Sequence, residues 1–204
     1  MPKIKLTKTE LKAQKDAFAR YSRFLPLLQL KKQQLQMEIA AMRSNADEIA
    51  RERLAVFDAL APWVGLLADE SAAIPVVLER VVTGTGNIAG VTIPIFERIE
   101  TSRPETDLFA TPAWVDDAAA AAESLMNLTA RERVINEQIN LIEDELRVTS
   151  QRVNLFEKVK IPECKENIRI IGIALGDEQT SAVARGKIAK GRGDGVEYGE
   201  AIAV

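Results

Sequence analysis

Apolar residues recur at alternating steps of three and four along two separate stretches of the chain. In the first, Phe18, Tyr21, Leu25, Leu28, Leu35, Ile39, Met42, Ala46, Ile49, Val56 and Leu60 keep one phase, with Lys32 and Arg53 as polar breaks. In the second, Leu125, Leu128, Ile135, Ile139, Ile142, Leu146, Val153 and Phe156 do the same, broken by Glu132 and Thr149. This spacing is the a/d seam of a coiled coil. Each seam is a narrow stripe among polar residues, so each helix needs a partner along most of its length. The simplest partner for one is the other.

Local signals set the expected ends. Thr7-Lys8-Thr9-Glu10 reads as a capping box, with Leu6 and Leu11 placed for a hydrophobic staple, so a helix starts near residue 8. It is expected to run to about Asp69 or beyond, with Pro26 as a kink rather than a break because the seam phase continues past it. The alternative is a separate short helix before Pro26, and Pro62 is a second candidate kink. Thr111-Pro112 followed by Asp116 and Asp117 opens the second helix. That helix is expected to reach about Leu175. Beyond Pro162 the apolar positions Cys164, Ile168, Ile171 and Leu175 resume in a shifted phase, which predicts a local stutter.

Between the helices the character changes. The β-branched runs Val76–Val82 and Ile88–Ile95 flank a turn cluster, Thr83-Gly84-Thr85-Gly86-Asn87. They predict a small β-hairpin or short β-insert, followed by loop from Thr101 to Pro112. At ~1.5 Å per residue, residues 8–70 and 113–175 each span about 95 Å. The predicted fold is therefore mostly α: a long antiparallel two-helix coiled-coil hairpin with a small β-hairpin insert at the end remote from the termini. Residues 1–75 form the first helix, 76–112 the insert, 113–180 the second helix and 181–204 a flexible Gly-rich tail. In a symmetric hairpin Arg53 faces Glu137 and Lys32 faces Lys158.

Charge adds a direction to this picture. Residues 1–43 carry ten Lys/Arg against three Asp/Glu, residues 44–150 eight against nineteen, and residues 151–204 nine against eight. Antiparallel pairing brings the two basic segments to one end, which points to different partners at the two ends. Charged residues make up 28% of the chain and aromatics 5%. That balance favours long helices with small aliphatic contacts. No apolar run is long enough for a bilayer span, and no signal-peptide core opens the chain, so a cytoplasmic protein is expected.

Candidate chemistry is sparse. There is no histidine and one cysteine, Cys164, which lies on the apolar stripe and reads as a small core residue rather than a nucleophile. Gly84-Thr85-Gly86 and Gly186-Lys187 lack the spacing of a phosphate-binding loop. Glu143, Asp144 and Glu145 spread around a helix and read as a solvated face. The basic segments lack interleaved aromatics, so nucleic acid is not expected as a partner. Neither a metal nor another cofactor is expected.

Three stretches resemble one family. Pro2-Lys3-Ile4-Lys5-Leu6-Thr7-Lys8 with Leu27-Leu28-Gln29-Leu30-Lys31-Lys32 resembles its opening. Asn87-Ile88-Ala89-Gly90-Val91-Thr92-Ile93-Pro94 is similar to its Asn-x-Ala-Gly-Val-x-x-Pro segment. Thr149 to Glu157, followed by Ile161-Pro162, resembles its Arg-Arg-Val-Asn-Ala-Leu-Glu and Ile-Pro pattern, with Gln151 where arginine is frequent. The family is the D subunit of V-type and A-type ATPases, the central rotor stalk, and the resemblance covers about residues 2–175. It implies a non-catalytic component that passes torque between a ring of A and B subunits and a membrane ring moving protons or sodium ions. It also implies contact with the F subunit and with the C/d subunit, and a position peripheral to the membrane on the cytoplasmic side. On this resemblance Lys3, Lys5, Lys12, Arg20, Arg23, Arg152 and Arg169 are the expected partner-binding residues, facing the bore of the A/B ring. A stand-alone coiled-coil scaffold or adaptor is the competing reading.

Overall fold

The structure is a computed structural model that describes the backbone of residues 4–68, 76–104 and 111–200, and the side chains of 4–66, 76–104 and 111–191. Helix α1 runs Lys8–Leu60 and is followed by a 3-10 helix, Ala61–Ala68. Strands β1 (Val77–Ile88) and β2 (Val91–Ser102) form an antiparallel pair. Helix α2 (Trp114–Leu155) passes through a π-helical turn, Phe156–Lys160, into α3 (Ile161–Glu200). The predicted architecture of two long helical stretches with a β-hairpin between them is what the structure shows.

Half of the predicted capping box forms. The Glu10 N–H donates to Thr7 Oγ1 at 3.3 Å, but the Glu10 carboxylate accepts from Gln14 Nε2 at 2.9 Å instead of reaching back. The Thr7 N–H is satisfied by the Lys5 carbonyl at 3.0 Å, which leaves Glu10 free to support the next turn. Pro26 sits inside α1 without ending it. Pro62 acts differently: α-helix stops at Leu60 and the backbone tightens into the 3-10 segment, short of the predicted end at Asp69, which lies outside the described residues. At the other end of the insert, α2 begins at Trp114, two residues after Pro112.

The chain divides into two compact units, Met1–Gln29 with Gln151–Val204, and Leu30–Ser150. Within the first, Asn167 Nδ2 donates to Gln14 Oε1 at 3.3 Å, Lys165 lies over the Phe18 ring at 5.7 Å, and the Tyr21 and Phe156 rings meet at 5.0 Å. Within the second, Lys31 pairs with Glu145 at 2.6 Å, Arg43 with Glu143 at 2.6 Å and Arg53 with Glu132 at 3.1 Å. In both units the partner number falls as the α1 number rises, so the helices pair antiparallel. The two seam breaks Arg53 and Glu132 meet each other, five residues from the Glu137 that a symmetric hairpin predicts.

The seam residues are the core of the second unit. Leu35, Ile39 and Ile142 are buried with Ile93 from β2, and Ile49, Leu128 and Ile135 form a second cluster. The sequence did not predict the role of Ile93. The hairpin tip, with Ile88, Ala89 and Val91, packs back onto the helix pair, and β2 lies along α2. Gln138 Nε2 donates to the Pro94 carbonyl, and Glu123 accepts from Thr101 Oγ1 at 3.5 Å and from Arg103 Nε at 2.8 Å. The lengths agree: Pro94 to Thr101 rises about 23 Å in a strand, and Gln138 to Glu123 covers about the same in a helix.

The turn also differs from expectation. Gly84 and Gly86 lie within β1, where a Cβ would meet Glu97 Oε1 at 2.6 Å and Ile95 Cδ1 at 2.5 Å; the missing side chains make room for those of β2. The two-residue loop is Ala89-Gly90, between paired Ile88 and Val91, with φ of 50° and 84°. Positive φ at both positions is what a type I′ turn requires. The Gly90 N–H donates to Asn87 Oδ1 at 3.0 Å. Alanine pays a steric penalty at positive φ, so Ala89→Asn or Ala89→Gly is expected to raise stability by about 0.5–1 kcal/mol, read as a shift of the urea midpoint at constant slope.

The segment 181–204, expected as a Gly-rich tail, is helical as far as Glu200, and its last four residues lie outside the described residues. Every described side chain from Gly176 to Gly191 is exposed, so this extension buries nothing in the chain itself.

Candidate functional site

Among the described residues no group of three or more His, Cys, Asp or Glu side chains is placed to hold a metal ion. Cys164 is buried, and burial pushes its thiol above the ordinary range, with Glu163 adding to the effect. A thiol held protonated is a core residue rather than a nucleophile.

The strongest surface feature is cationic. The unit formed by Met1–Gln29 and Gln151–Val204 carries sixteen Lys/Arg against ten Asp/Glu, whereas Leu30–Ser150 carries eleven against twenty. Lys5, Lys12, Arg20, Arg23, Arg152 and Arg169 all belong to the first unit and all are exposed. Lys3 lies outside the described residues. Helical periodicity explains how α1 presents its share. Gln14, Phe18 and Tyr21 turn toward the partner helix, which leaves Lys12 and Arg23 on the opposite side, with Arg20 beside them. Lys8 and Lys15 are exposed on the same side, four and three residues from Lys12. They were missed as site candidates, although their spacing with Lys5 and Lys12 is a heptad signal readable from the sequence.

Pairing distinguishes these cations from most, though not all, of those in the second unit. In the second unit Arg43, Arg53, Arg80, Arg98, Arg103 and Arg131 each reach a carboxylate within 3.5 Å. Among the described residues Lys5, Lys8, Lys12, Lys15, Arg20, Arg23 and Arg152 have no ion-pair partner, so their charge is directed outward. Arg169 is the exception. Its Nη2 is 2.6 Å from Glu166 Oε1 and its Nε donates to Oε2 at 2.9 Å. This bidentate pair holds the Glu166 carboxyl below the ordinary carboxylate range and raises Arg169 above its own. A depressed folded-state pKa means the pair's contribution is present above the ordinary carboxylate range and is lost as pH falls through the folded value. Arg169→Gln is expected to move the Glu166 titration back up toward the ordinary range, a shift that carbonyl NMR of the carboxylates reads directly.

The Arg53–Glu132 pair is half-buried beside the Ile49–Leu128–Ile135 cluster, and Arg53 Nε is buried without a hydrogen-bond partner among the described residues. A polar contact on a seam fixes the register of the two helices. Arg53→Glu with Glu132→Arg is expected to recover about 1 kcal/mol relative to the sum of the single reversals, measured by a double-mutant cycle in urea.

The structure thus combines antiparallel helices, a docked β-hairpin and an exposed cationic helix face, an arrangement that fits a component of a larger assembly. Residues 10–191 match the family of the ATP synthase D subunit. The chain is 44% identical over 194 residues to a V-type ATP synthase D subunit of Borreliella burgdorferi, covering 93% of this chain and 95% of that one. It is 37% identical to the V-type ATP synthase D subunit of Chlamydia muridarum, covering 92% and 94%, and 36% identical to that of Chlamydia felis, covering 92% of each. The chain belongs to the ATP synthase D-subunit family.

Proposed function

We propose that this chain is the central rotor shaft of a V-type ATPase or ATP synthase. It transmits torque between ATP hydrolysis or synthesis in a ring of A and B subunits and proton or sodium-ion translocation in the membrane. Family membership across most of the chain supports this reading. The observation that carries the contact model is the unpaired cationic face of Lys5, Lys8, Lys12, Lys15, Arg20 and Arg23. An outward cationic stripe on a helix fits a surrounding anionic surface that it meets by successive weak contacts, since exposed charge pairs are individually worth about 0–1 kcal/mol. Acidic loops of the A/B ring are the proposed counterpart, with Lys3 and Arg152 on the same partner. Arg169 contributes less, because Glu166 already neutralises it. The F subunit takes an exposed side of the shaft, and the C/d subunit joins it to the membrane ring.

Among the described residues no helix is long and apolar enough to cross a membrane. In this reading, attachment to the membrane runs through the complex, on its cytoplasmic side. The chain supplies contact and stiffness, and the catalytic groups reside in its partners. A tagged copy expressed in place of the native chain is expected to co-purify with A, B and F subunits in stoichiometric amounts. Recovery of the tagged chain alone, from membranes that retain an assembled A/B ring, contradicts the reading.

A further inference from the structure

The second long helix contains one irregular turn, and its position matches a phase change in the seam. Before it, Thr149 and Val153 are buried and Phe156 is half-buried; after it, Cys164, Asn167 and Ile171 are buried. An unbroken heptad from Val153 and Phe156 would bury Lys160, Glu163, Asn167 and Ile170. Asn167 is buried and Lys160 half-buried, but Glu163 and Ile170 are exposed and the next residues, Cys164 and Ile171, are buried in their place. The π-turn Phe156–Lys160 accounts for the difference, because a π-turn houses one residue more than an α-turn. The Ile161 N–H closes it onto the Phe156 carbonyl five residues back, and Pro162 has no N–H with which to continue the ladder.

The facing helix is weakened nearby. Tyr21 meets Phe156, and Pro26, five residues on, removes a backbone bond from α1 about 8 Å along the axis. The Tyr21 and Phe156 rings, tilted at 45°, hold the helices together through a contact without directional bonds. Val159 within the turn, and Ile170 and Ile173 further along α3, expose apolar side chains at 48%, 38% and 52%. Rotation of α3 by one residue brings Ile170 toward the seam in place of Ile171, so a twist at this turn exchanges one apolar contact for another.

We propose that the Phe156–Lys160 turn is the torsionally compliant point of the second helix: α3 twists there by exchange between the π-turn and an α-turn. This rests on the reading of the chain as a shaft. Deleting Lys158, an exposed residue of the turn, removes the surplus residue while keeping Val153 and Cys164 on one seam.

The test has two readouts on the full chain. In hydrogen exchange of the free protein, the amides of Glu157–Ile161 are expected to exchange about tenfold faster than those of Glu132–Ile142, and deletion of Lys158 is expected to abolish the difference. In the assembled complex stalled without nucleotide, the angular variance of a bead attached to this chain is expected to fall by about twofold on deletion. Equal exchange of the two segments in the wild-type chain overturns the proposal, as does an unchanged variance in a deletion variant whose exchange has slowed. Should the deletion variant not fold, Pro162→Ala keeps the length, restores the missing N–H and is read in the same two ways. A wild-type chain that enters no complex overturns the shaft reading, and the torsional role with it, whatever the exchange pattern.

Discussion

Ile142→Ala is expected to lower the free energy of unfolding by about 3–4 kcal/mol. Ile142 is 0% exposed and joins α2 to Leu35 and Ile39 of α1 and to Ile93 of the hairpin. A truncation there leaves a cavity lined by three separate elements. None of them closes it alone, because each is held elsewhere along the seam or by Gln138 and Glu123. The midpoint of urea unfolding reads the loss, with Met37→Ala as the control: Met37 is 74% exposed, and its truncation is expected to cost under about 0.5 kcal/mol. Hydrogen exchange separates the roles further. Ile93→Ala is expected to free the amides of the hairpin before those of the helices, whereas Ile142→Ala loosens both. A loss below about 1 kcal/mol for Ile142→Ala contradicts the placement of this cluster at the centre of the unit.

The second large effect is functional. Reversing charge with Arg20→Glu and Arg23→Glu is expected to reduce ATP-driven ion transport by about tenfold while the A/B ring still hydrolyses ATP. Each reversal turns an attraction into a repulsion, and a change of about 1.4 kcal/mol in a contact corresponds to tenfold in its equilibrium constant. Neither arginine has an ion-pair partner among the described residues, so the reversal leaves the fold without a broken internal pair. The same reversal at Arg147, which is paired with Asp144 at 3.0 Å, tests whether any exposed cation has this effect. Coupling that survives Arg20→Glu with Arg23→Glu removes these two residues from the torque-bearing contact.

Much of this architecture could be read from period alone. The three-four spacing placed Leu35, Ile39, Ile49, Leu128, Ile135 and Ile142 on facing seams, and the shifted phase at Cys164 announced the irregular turn before Pro162. What escaped was anything that depends on two surfaces meeting. The a/d stripe was read as the whole buried face of α2, but Ala130 and Val134 are buried too, on the side where Glu123 and Gln138 hold β2. An isolated stripe cannot say that a β-hairpin will cover the next face. Glycine was misread for a related reason. Gly84 and Gly86 are consistent with a turn by propensity, yet their small size serves the crossing of Glu97 and Ile95, a contact set by β2. Buried Asn167 keeps the unshifted heptad of Val153, with Ile168 half-buried beside it, whereas Cys164 and Ile171 follow the one-residue shift that the π-turn imposes.

The candidate site was partly legible for the opposite reason. Exposed charge needs no partner within the chain, so Lys5, Lys12, Arg20 and Arg23 stood out in the sequence, and helical spacing adds Lys8 and Lys15. Pairing was not legible. Arg169 looks like any other arginine until Glu166 is seen against it, and Arg53 and Glu132 become a pair only when the register is known. The same logic limits the segment from Gly186 onward: glycine content argued for a flexible tail, whereas the structure carries a helix there as far as Glu200.

Observation of rotation tests the central claim most directly. With the A/B ring fixed to a surface and a bead attached to an exposed position of this chain in the assembled complex, addition of ATP is expected to drive the bead in one direction, in steps that track ATP turnover. ATP turnover by the same complexes with the bead stationary, or moving equally in both directions, contradicts the account.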